Sequence, residues 1–284
     1  MAVQRRGNVK TADTNSIEKK IKRGIAQRQA SSYRGYAALL IAFIGSCALP
    51  VWLWSVWTND ITDTMVSREE VLAQPRVFMI QCSEDYQKYK HFPGCTPSKC
   101  GRAVTDNVVS ADEAQALKRI AERGLALGGS DGGASILDLH SGALSMGKKF
   151  VNIYRTVRSR IQRVICETFG LDSSKLYLTK PTFFSRINST SAKTTHDEYW
   201  HPHIDKVTYG SFDYTSLLYL TDYGVDFGGG RFIFMDPNSN RTVEPRTGSE
   251  NLHHVEKVAW GTRYAITVSF TCDPDFAIAD PSLP

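Results

Sequence analysis

The feature that most constrains this chain is an uncharged apolar run from Ala37 to Trp57, with the sequence AALLIAFIGSCALPVWLWSVW. A helix needs about 20 apolar residues to cross a bilayer, and this run supplies them. Trp52 and Trp54 lie near its far end, where indole rings favour the headgroup region. A cleaved signal peptide is the alternative, but its apolar run is usually about 7–15 residues and its basic leader is shorter. The run therefore predicts a transmembrane signal-anchor helix over residues 37–57.

The charges on either side of this run predict how the anchor is oriented. Residues 1–36 contain nine Lys or Arg side chains against two Asp or Glu, whereas Asp60, Asp63 and Glu69 follow the run. Basic flanking residues stay on the cytosolic side of a membrane. We therefore expect a cytosolic basic tail over residues 1–36, a single-pass type II topology, and the remainder of the chain in the lumen of the endoplasmic reticulum or secretory pathway.

The same distribution of charge bears on nucleic-acid binding. The net charge of the chain is +5, and because the basic residues concentrate in the tail, the rest is close to neutral. A nucleic-acid-binding domain carries a clustered basic surface, so we expect no nucleic-acid partner. The basic residues within 19–23 also fit a nuclear localisation signal, an alternative that the adjacent apolar run disfavours.

The cysteines and the sequons also favour an oxidising compartment. Four cysteines lack the C-x-x-C spacing of a zinc site, which favours disulfides whose pairing the sequence leaves open. These four are Cys82, Cys95, Cys100 and Cys272. Cys166 lies on the apolar face of a predicted helix and is expected to be a buried free thiol. Glycosylation sequons begin at Asn188 and Asn240, and both are meaningful only in the lumen.

Local patterns predict two helices and two irregular segments. Ser110 and Glu113 form a capping box before the amphipathic segment ADEAQALKRIAERGLAL, which predicts a helix. A second helix is expected from Val151 to Phe169, ending at Gly170 as a C-cap. Residues 58–101 are expected to form a stem and a cysteine-bearing loop. The Gly-rich residues 128–142 are interpreted as a surface loop in which His140 is solvated.

From Lys175 onward the pattern changes to short apolar segments separated by turns. These segments are LYLTKPTFFSRI, TSLLYLTDY, GGGRFIFM, HHVEKV and TRYAITVSF. Strands that follow helices favour an α+β fold, in which helices buttress a β-sandwich or barrel. The sequence thus predicts one folded domain over residues 102–284.

The segment WHPHIDKV contains the strongest indication of chemistry. In a strand, His201, His203 and Asp205 would point to one face. A zinc hydrolase of the metallo-β-lactamase type needs H-x-H-x-D-H, but Lys206 occupies the last position and cannot bind a metal while protonated. The other possibility is the facial triad of non-haem Fe(II) oxygenases, in which H-x-D is joined by a distant histidine.

The distant part of such a triad is also present in the sequence. Either His253 or His254, in NLHHVEKVAWGTRYAITVSF, would provide the third ligand. Arg263 follows on the next predicted strand. A guanidinium at this position can bind a carboxylate through two hydrogen bonds.

Taken in order, these elements resemble the prolyl 4-hydroxylase branch of the 2-oxoglutarate- and Fe(II)-dependent dioxygenases. The resemblance covers about residues 102–272 through FFSRINS, YWHPHID, TSLLYLTDY…FGGGRFIF and LHHVEKV…GTRYAI. It implies a double-stranded β-helix, or jelly roll, buttressed by helices and here preceded by a single transmembrane helix.

The resemblance also implies roles for individual residues. His203 and Asp205 match the H-x-D metal ligands, and His253 matches the distal ligand because H-x-V reads His253-His254-Val255. Arg263 matches the residue that binds the distal carboxylate of 2-oxoglutarate. Thr215 matches a threonine that assists it in some relatives. His201 is interpreted as a histidine at the rim of the site rather than as a ligand.

The chemistry implied by this resemblance is oxidative. Two imidazoles and one carboxylate leave three coordination positions of Fe(II) open for 2-oxoglutarate and O2. The products are succinate, CO2 and a hydroxylated side chain of a protein or peptide whose identity the sequence does not give. L-ascorbate is the implied reductant that restores iron oxidised without substrate.

The chain departs from the family pattern between the Gly-rich hairpin and the distal histidine. Relatives place another strand there, but here only residues 245–249 lie between Glu244 and ENLHH. The region around the second helix is also short, and both departures suggest an alternatively spliced or misassembled chain. We therefore expect one core strand to be missing. A catalytically inactive, membrane-anchored lumenal protein is the alternative to an active enzyme.

Overall fold

The computed structural model describes residues 20, 22–23, 36, 62–80, 82, 92–97, 100–106, 108–140, 147–194, 198–203, 210, 212–236, 239–244 and 254–280, with residues 147–151 and 254 described by their backbone only. The chain divides into two compact units, Met1–Asp60 and Ile61–Pro284. The described residues of the first unit are helical and exposed. None of the helices described is long and apolar enough to cross a membrane. The anchor predicted over residues 37–57 lies outside the described residues.

The described part of the second unit contains strands and two long helices. The strands are β1 Thr62–Val66, β2 Arg76–Ile80, β3 Cys100–Val104, β4 Ala134–Asp138, β5 Tyr177–Asn188, β6 Tyr214–Tyr219, β7 Phe227–Gly229, β8 Phe232–Met235, β9 Asn240–Val243, β10 His254–Val255 and β11 Val258–Thr271. The helices are α1 Ala111–Gly128 and α2 Gly147–Phe169, and 3-10 turns occur at Ser173–Lys175 and Pro274–Phe276. The predicted α+β class is confirmed.

Helix α1 begins where its capping box predicts. The Ser110 hydroxyl accepts the Glu113 N–H at 3.2 Å, and the Glu113 carboxylate accepts the Ser110 N–H at 2.9 Å. These two bonds satisfy backbone donors that the first turn leaves free. The carboxylate also pairs with Arg160 of α2 at 2.6 Å, so the cap ties the two helices together.

Helix α2 ends at Phe169, as predicted, but begins four residues before the predicted start. Gly170 has φ of 70°, and the Leu171 N–H donates to the Cys166 carbonyl at 2.8 Å. This is the Schellman arrangement, in which a left-handed glycine closes the last turn.

The strands form two main sheets. The larger has the order β4-β5-β11-β6, with β7 paired to the first residues of β11, and the smaller has the order β1-β9-β8-β10. Strands β2 and β3 form a separate antiparallel pair. Strand β11 pairs with β5 from Thr262 to Thr271 and with β6 from Ala265 to Phe270, so it lies at the centre of the larger sheet.

Two hydrophobic clusters lie on opposite faces of the larger sheet. One packs helix residues such as Leu117 and Ile161 against Phe270 of β11. The other combines Leu217 of β6 with Phe232 of β8, and so contains side chains of both sheets. The two sheets therefore pack face to face, as in a β-sandwich with helices on one outer face.

Residues 58–101, predicted as a stem and loop, contain β1, β2 and the first residues of β3. Strand β1 runs parallel to β9, with Thr62 opposite Asn240, and Val66 is fully buried in the cluster between the sheets. The stem interpretation therefore does not hold for residues 62–66. Their partner strand is far away in sequence, so no local pattern reveals the pairing.

The Gly-rich segment 128–142 is not a loop throughout. Strand β4 pairs antiparallel with β5, and Leu137 is buried. His140 is half-buried rather than solvated, with its ring 6.4 Å from that of Tyr154. Burial lowers the pKa of His140, while Asp138 and Asp280 act in the opposite direction.

The cysteines form the kind of framework that the sequence predicts. Disulfides join Cys82 to Cys100 and Cys95 to Cys272. Cys166 is a buried free thiol, as expected, and burial raises its pKa. The longer-range disulfide connects the segment before α1 to the end of β11, two regions that are 177 residues apart in sequence.

Candidate cosubstrate and metal site

The candidate site is built on the inner face of strand β11. Residues of this strand alternate between the two clusters: Ile266 and Val268 point toward the helices, whereas Ala265 points into the space between the sheets. Arg263 shares the parity of Ala265 and is only 1% exposed. The strand thus places a guanidinium inside the sandwich, because side chains two residues apart share a face.

The polar contacts of Arg263 are few. Its Nη2 donates to the Tyr219 hydroxyl at 3.4 Å, and its guanidinium carbon lies 4.9 Å from the centre of the Tyr219 ring. Its buried Nε has no hydrogen-bond partner. No carboxylate of the described residues forms an ion pair with it. Because an unpaired buried charge is costly, this arrangement fits an anion held beside Arg263.

A second buried arginine shows what Arg263 lacks. Arg102 of β3 is 8% exposed and donates to both carboxylate oxygens of Asp236 at 2.8 and 2.7 Å. Its guanidinium carbon also lies 3.9 Å from the centre of the Phe234 ring. The chain therefore neutralises Arg102 internally, whereas the described part of the chain gives Arg263 only a neutral hydroxyl.

Tyr219 is a site residue that the sequence analysis did not identify. It is the last residue of β6 and lies opposite Ala265 in the register of β6 and β11. Burial raises the pKa of its hydroxyl, although Arg263 partly opposes the shift. The hydroxyl therefore stays protonated and can donate to an anion. Its position in TSLLYLTDY gives no sign of this role, because the contact depends on strand register.

Thr215, expected to assist Arg263, does not lie near it. The Thr215 hydroxyl is 3.2 Å from that of Ser269, its neighbour in register. Ser269 follows Arg263 by six residues along β11, or about 20 Å at the rise of a strand. The expected role of Thr215 is therefore wrong, and Tyr219 occupies the position beside the arginine.

The segment that carries the H-x-D motif is described up to His203. His201 and His203 are exposed. The His201 Nε2 lies 2.6 Å from the Glu198 carboxylate, and the His203 Nδ1 lies 2.9 Å from the His201 carbonyl oxygen. Asp205 lies outside the described residues. The metal-ligand role of His203 and Asp205 stays a prediction, as does the rim position of His201.

The distal part of the predicted triad is described from His254. The backbone of His254 pairs with Ile233 of β8, and Val255 is buried between the sheets. His253 lies outside the described residues. Within the described ranges, no three His, Cys, Asp or Glu side chains are grouped closely enough to hold a metal ion. Since two of the three predicted ligands are outside those ranges, the triad itself stays a prediction.

Contacts do connect the neighbours of these two ligand-bearing segments. The Tyr199 hydroxyl accepts the Val258 N–H at 2.9 Å. The Lys257 ammonium lies 4.0 Å from the centre of the Trp200 ring. Burial raises the pKa of Tyr199, and Arg263 is among the charges that oppose the shift. The residues before the H-x-D motif and those after the distal histidines therefore meet at the start of β11, near Arg263.

The two sequons lie at strand ends. Asn188 is the last residue of β5, Asn240 is the first residue of β9, and both are half-buried. The Asn188 side-chain oxygen accepts the Thr190 N–H at 3.0 Å. Glycosylation of either asparagine stays a prediction.

The sequence has close relatives among curated proteins, although no family model matches it. It is 60% identical over 260 residues to 2-oxoglutarate and iron-dependent oxygenase domain-containing protein 3 of Xenopus tropicalis, covering 81% of this chain and 82% of that protein. The protein of the same name from Mus musculus is 52% identical, with both chains fully covered. Prolyl 3-hydroxylase 1 of Rattus norvegicus is 28% identical over 216 residues, covering 61% of this chain and 29% of that protein.

The alignment with the mouse relative also shows that this chain has gaps. It extends over 317 positions, whereas the chain has 284 residues, a difference of 33. At least that many aligned positions therefore have no counterpart in this chain.

Proposed function

The chain belongs to the family of 2-oxoglutarate and iron-dependent oxygenase domain-containing protein 3, and from this premise we propose that it is a membrane-anchored, lumenal dioxygenase. It uses Fe(II) and 2-oxoglutarate to hydroxylate a side chain of a protein or peptide, releasing succinate and CO2. The observation that carries the proposal is the buried guanidinium of Arg263, which has no carboxylate partner among the described residues.

The surroundings of Arg263 suit one end of 2-oxoglutarate. The distal carboxylate of this dianion would accept hydrogen bonds from the guanidinium, including the Nε that now has no partner. The Tyr219 hydroxyl would donate a further bond. Such charge-assisted bonds are strong in a site lined by apolar side chains. The neighbouring Phe227 and Val258 are buried in the same cluster and help to exclude water.

The proposed metal ligands are His203, Asp205 and His253. Two neutral imidazoles and one carboxylate form a donor set that suits Fe(II) and leaves positions open. When bound together, iron and 2-oxoglutarate supply the reductive activation of O2 that hydroxylation needs. L-ascorbate is the proposed reductant that keeps the iron in its ferrous form.

The proposed location rests on the sequence and on the disulfides. The apolar run at residues 37–57 and its charge asymmetry support a type II anchor. Two disulfides support an oxidising compartment such as the endoplasmic reticulum, because cytosolic thiols are kept reduced. The likeness to a prolyl 3-hydroxylase supports a protein or peptide as substrate.

A second candidate function is a lumenal protein without catalysis. The gaps relative to the mouse protein favour it, because the loss of a core strand would disturb the position of the distal histidine. The two candidates differ in a measurable property. An active site of this type converts some 2-oxoglutarate even without a substrate, whereas an inactive protein does not.

The test is release of labelled CO2 from 2-oxoglutarate by the full chain with Fe(II) and ascorbate. We expect release by the natural chain, none by Asp205→Ala, and an approximately 100-fold higher 2-oxoglutarate requirement for Arg263→Leu, since truncating a buried charged partner costs about 2–5 kcal/mol. Arg123→Leu, on the exposed surface of α1, is the matched control. No release by a folded natural chain would support the inactive protein instead.

A further inference from the structure

The segment from His254 to Lys257 is held by a short strand pairing. Strand β10 contributes only His254 and Val255, which lie opposite Ile233 and Phe232 of β8. The next residues, Glu256 and Lys257, belong to no strand. A two-residue ladder fixes a backbone weakly, and the Gly230 N–H adds one hydrogen bond to the Lys257 carbonyl at 3.2 Å. Side-chain contacts on either side of this segment therefore take on part of that task.

The first of these contacts is a two-point ion pair. The Arg231 Nε and Nη2 donate to the two carboxylate oxygens of Glu256 at 3.0 and 3.1 Å. The Glu256 N–H donates to the Arg231 carbonyl at 2.8 Å. The side chains are 31% and 34% exposed, so the pair adds geometric restraint more than stability. It joins the segment to the residue just before β8.

The second contact lies on the opposite side, at Tyr199. Its hydroxyl accepts the Val258 N–H at 2.9 Å and donates to the Asn188 carbonyl at 3.4 Å. One hydroxyl thereby connects the end of β5, the start of β11 and the segment leading to His203. The Lys257–Trp200 contact at 4.0 Å reinforces the same junction.

We propose that Tyr199 and the Arg231–Glu256 pair are positioning residues for the segment after the distal histidines. Tyr199 holds that segment against the segment before the H-x-D motif, and the ion pair holds it against the residue just before β8. Their joint effect is to set the affinity of the site for a divalent metal. This inference rests on the proposed function. Metal sites need their ligand-bearing segments fixed to within about 0.5 Å. Loss of a group that hydrogen-bonds directly to a metal ligand typically lowers metal affinity about 10- to 100-fold, so for these more distant contacts we expect the lower end of that range.

The test measures Mn²⁺ binding by the full chain in detergent, by electron paramagnetic resonance, without turnover. We expect Tyr199→Phe and Glu256→Gln each to raise the Mn²⁺ dissociation constant about tenfold. Tyr177→Phe and Glu167→Gln are matched controls. Tyr177 lies opposite Thr271, at the far end of β11, and Glu167 forms an exposed pair with Arg163 on α2. Neither control should change metal affinity.

A merely structural role is excluded by two further measurements. Thermal unfolding of the metal-free variants should match that of the controls. The charge-swapped double variant, Arg231→Glu with Glu256→Arg, should bind Mn²⁺ more tightly than Glu256→Gln, because it restores the pair. If the variants bind Mn²⁺ with affinities within about twofold of the natural chain, instead of the expected loss of about tenfold, this inference is overturned and the proposed function is not. Absence of Mn²⁺ binding by the natural chain would overturn the proposed function as well.

Discussion

Two buried arginines of this molecule differ in whether a carboxylate of the described residues neutralises their charge. Arg102 lies on the face of Phe234 and is neutralised by both oxygens of Asp236. Arg263 lies between the sheets with Tyr219 as its polar neighbour, and the described residues give it no carboxylate. The charge of Arg102 is neutralised within the chain, although its buried Nε, like that of Arg263, has no hydrogen-bond partner. Arg263 lacks an acceptor that a ligand can provide, and on our proposal this difference separates a structural arginine from a binding one.

The physical basis of the comparison is the cost of burying charge. Taking a guanidinium out of water costs several kcal/mol unless hydrogen bonds and an opposite charge compensate. A protein that keeps such a group unpaired sacrifices stability when the ligand is absent. The same group then binds an anion strongly, because little water has to be displaced from it.

The largest effect is the loss of stability expected when Arg102, the structural arginine, is replaced. Arg102→Met removes two charge-assisted hydrogen bonds from the partly buried Asp236 carboxylate and leaves it only the longer contact with the Arg241 Nε at 3.7 Å, so the free energy of unfolding should fall by about 3 kcal/mol. Arg263→Met should change it by less than about 1 kcal/mol in the absence of ligand, because no internal ion pair is lost. Urea unfolding followed by tryptophan fluorescence measures both. Equal losses in the two variants would contradict the comparison.

The next largest effect is the gain of stability expected when 2-oxoglutarate, the ligand that Arg263 is proposed to bind, is added. At a 2-oxoglutarate concentration 100 times its Kd, with Mn²⁺ in place of iron, the natural chain should gain about 2.7 kcal/mol of stability. Arg263→Met should gain almost nothing at that concentration, whereas Arg102→Met should gain as much as the natural chain. Thermal unfolding with and without ligand measures the gain. A gain by Arg263→Met equal to that of the natural chain would remove Arg263 from the site.

The smallest effect concerns the pH dependence of the structural pair. Hydrogen bonds from Arg102 lower the pKa of Asp236 from its usual 3.8. A carboxyl with a lowered folded-state pKa stabilises the fold above its unfolded pKa, and this contribution is lost as the pH falls through the folded value. The stability difference between the natural chain and Arg102→Met should therefore shrink below pH 3.8. A difference that stays constant down to pH 2 would show that charge does not account for it.

The sequence predicted those elements whose signals are local. The capping box fixed the start of α1, and Gly170 marked the end of α2. Short alternating segments predicted the later strands. Strands β1 and β4 were missed because their pairing partners, β9 and β5, lie far away along the chain. The Gly-rich composition around β4 is typical of loops, and only its partner strand makes it part of the sheet.

For the same reason, the sequence analysis identified Arg263 of the candidate site but not the residue beside it. Arg263 was identified from its place on the predicted strand after the distal histidines and from the family resemblance, both of which are patterns along the chain. Its neighbour was predicted wrongly as Thr215, because the choice between Thr215 and Tyr219 depends on the register of β6 against β11. No local pattern encodes a register between strands whose pairing is set by tertiary packing.

By itself, the sequence determined the class of the fold and the two capped helices, which follow from periodicity and capping and depend on residues close together in the chain. Its resemblance to a known family implied iron and 2-oxoglutarate. Only the tertiary structure decided that Arg263 is buried, that Tyr219 accompanies it and that Tyr199 meets Val258. Burial and contact arise when strands distant in sequence pack together, so they exist only in the folded molecule.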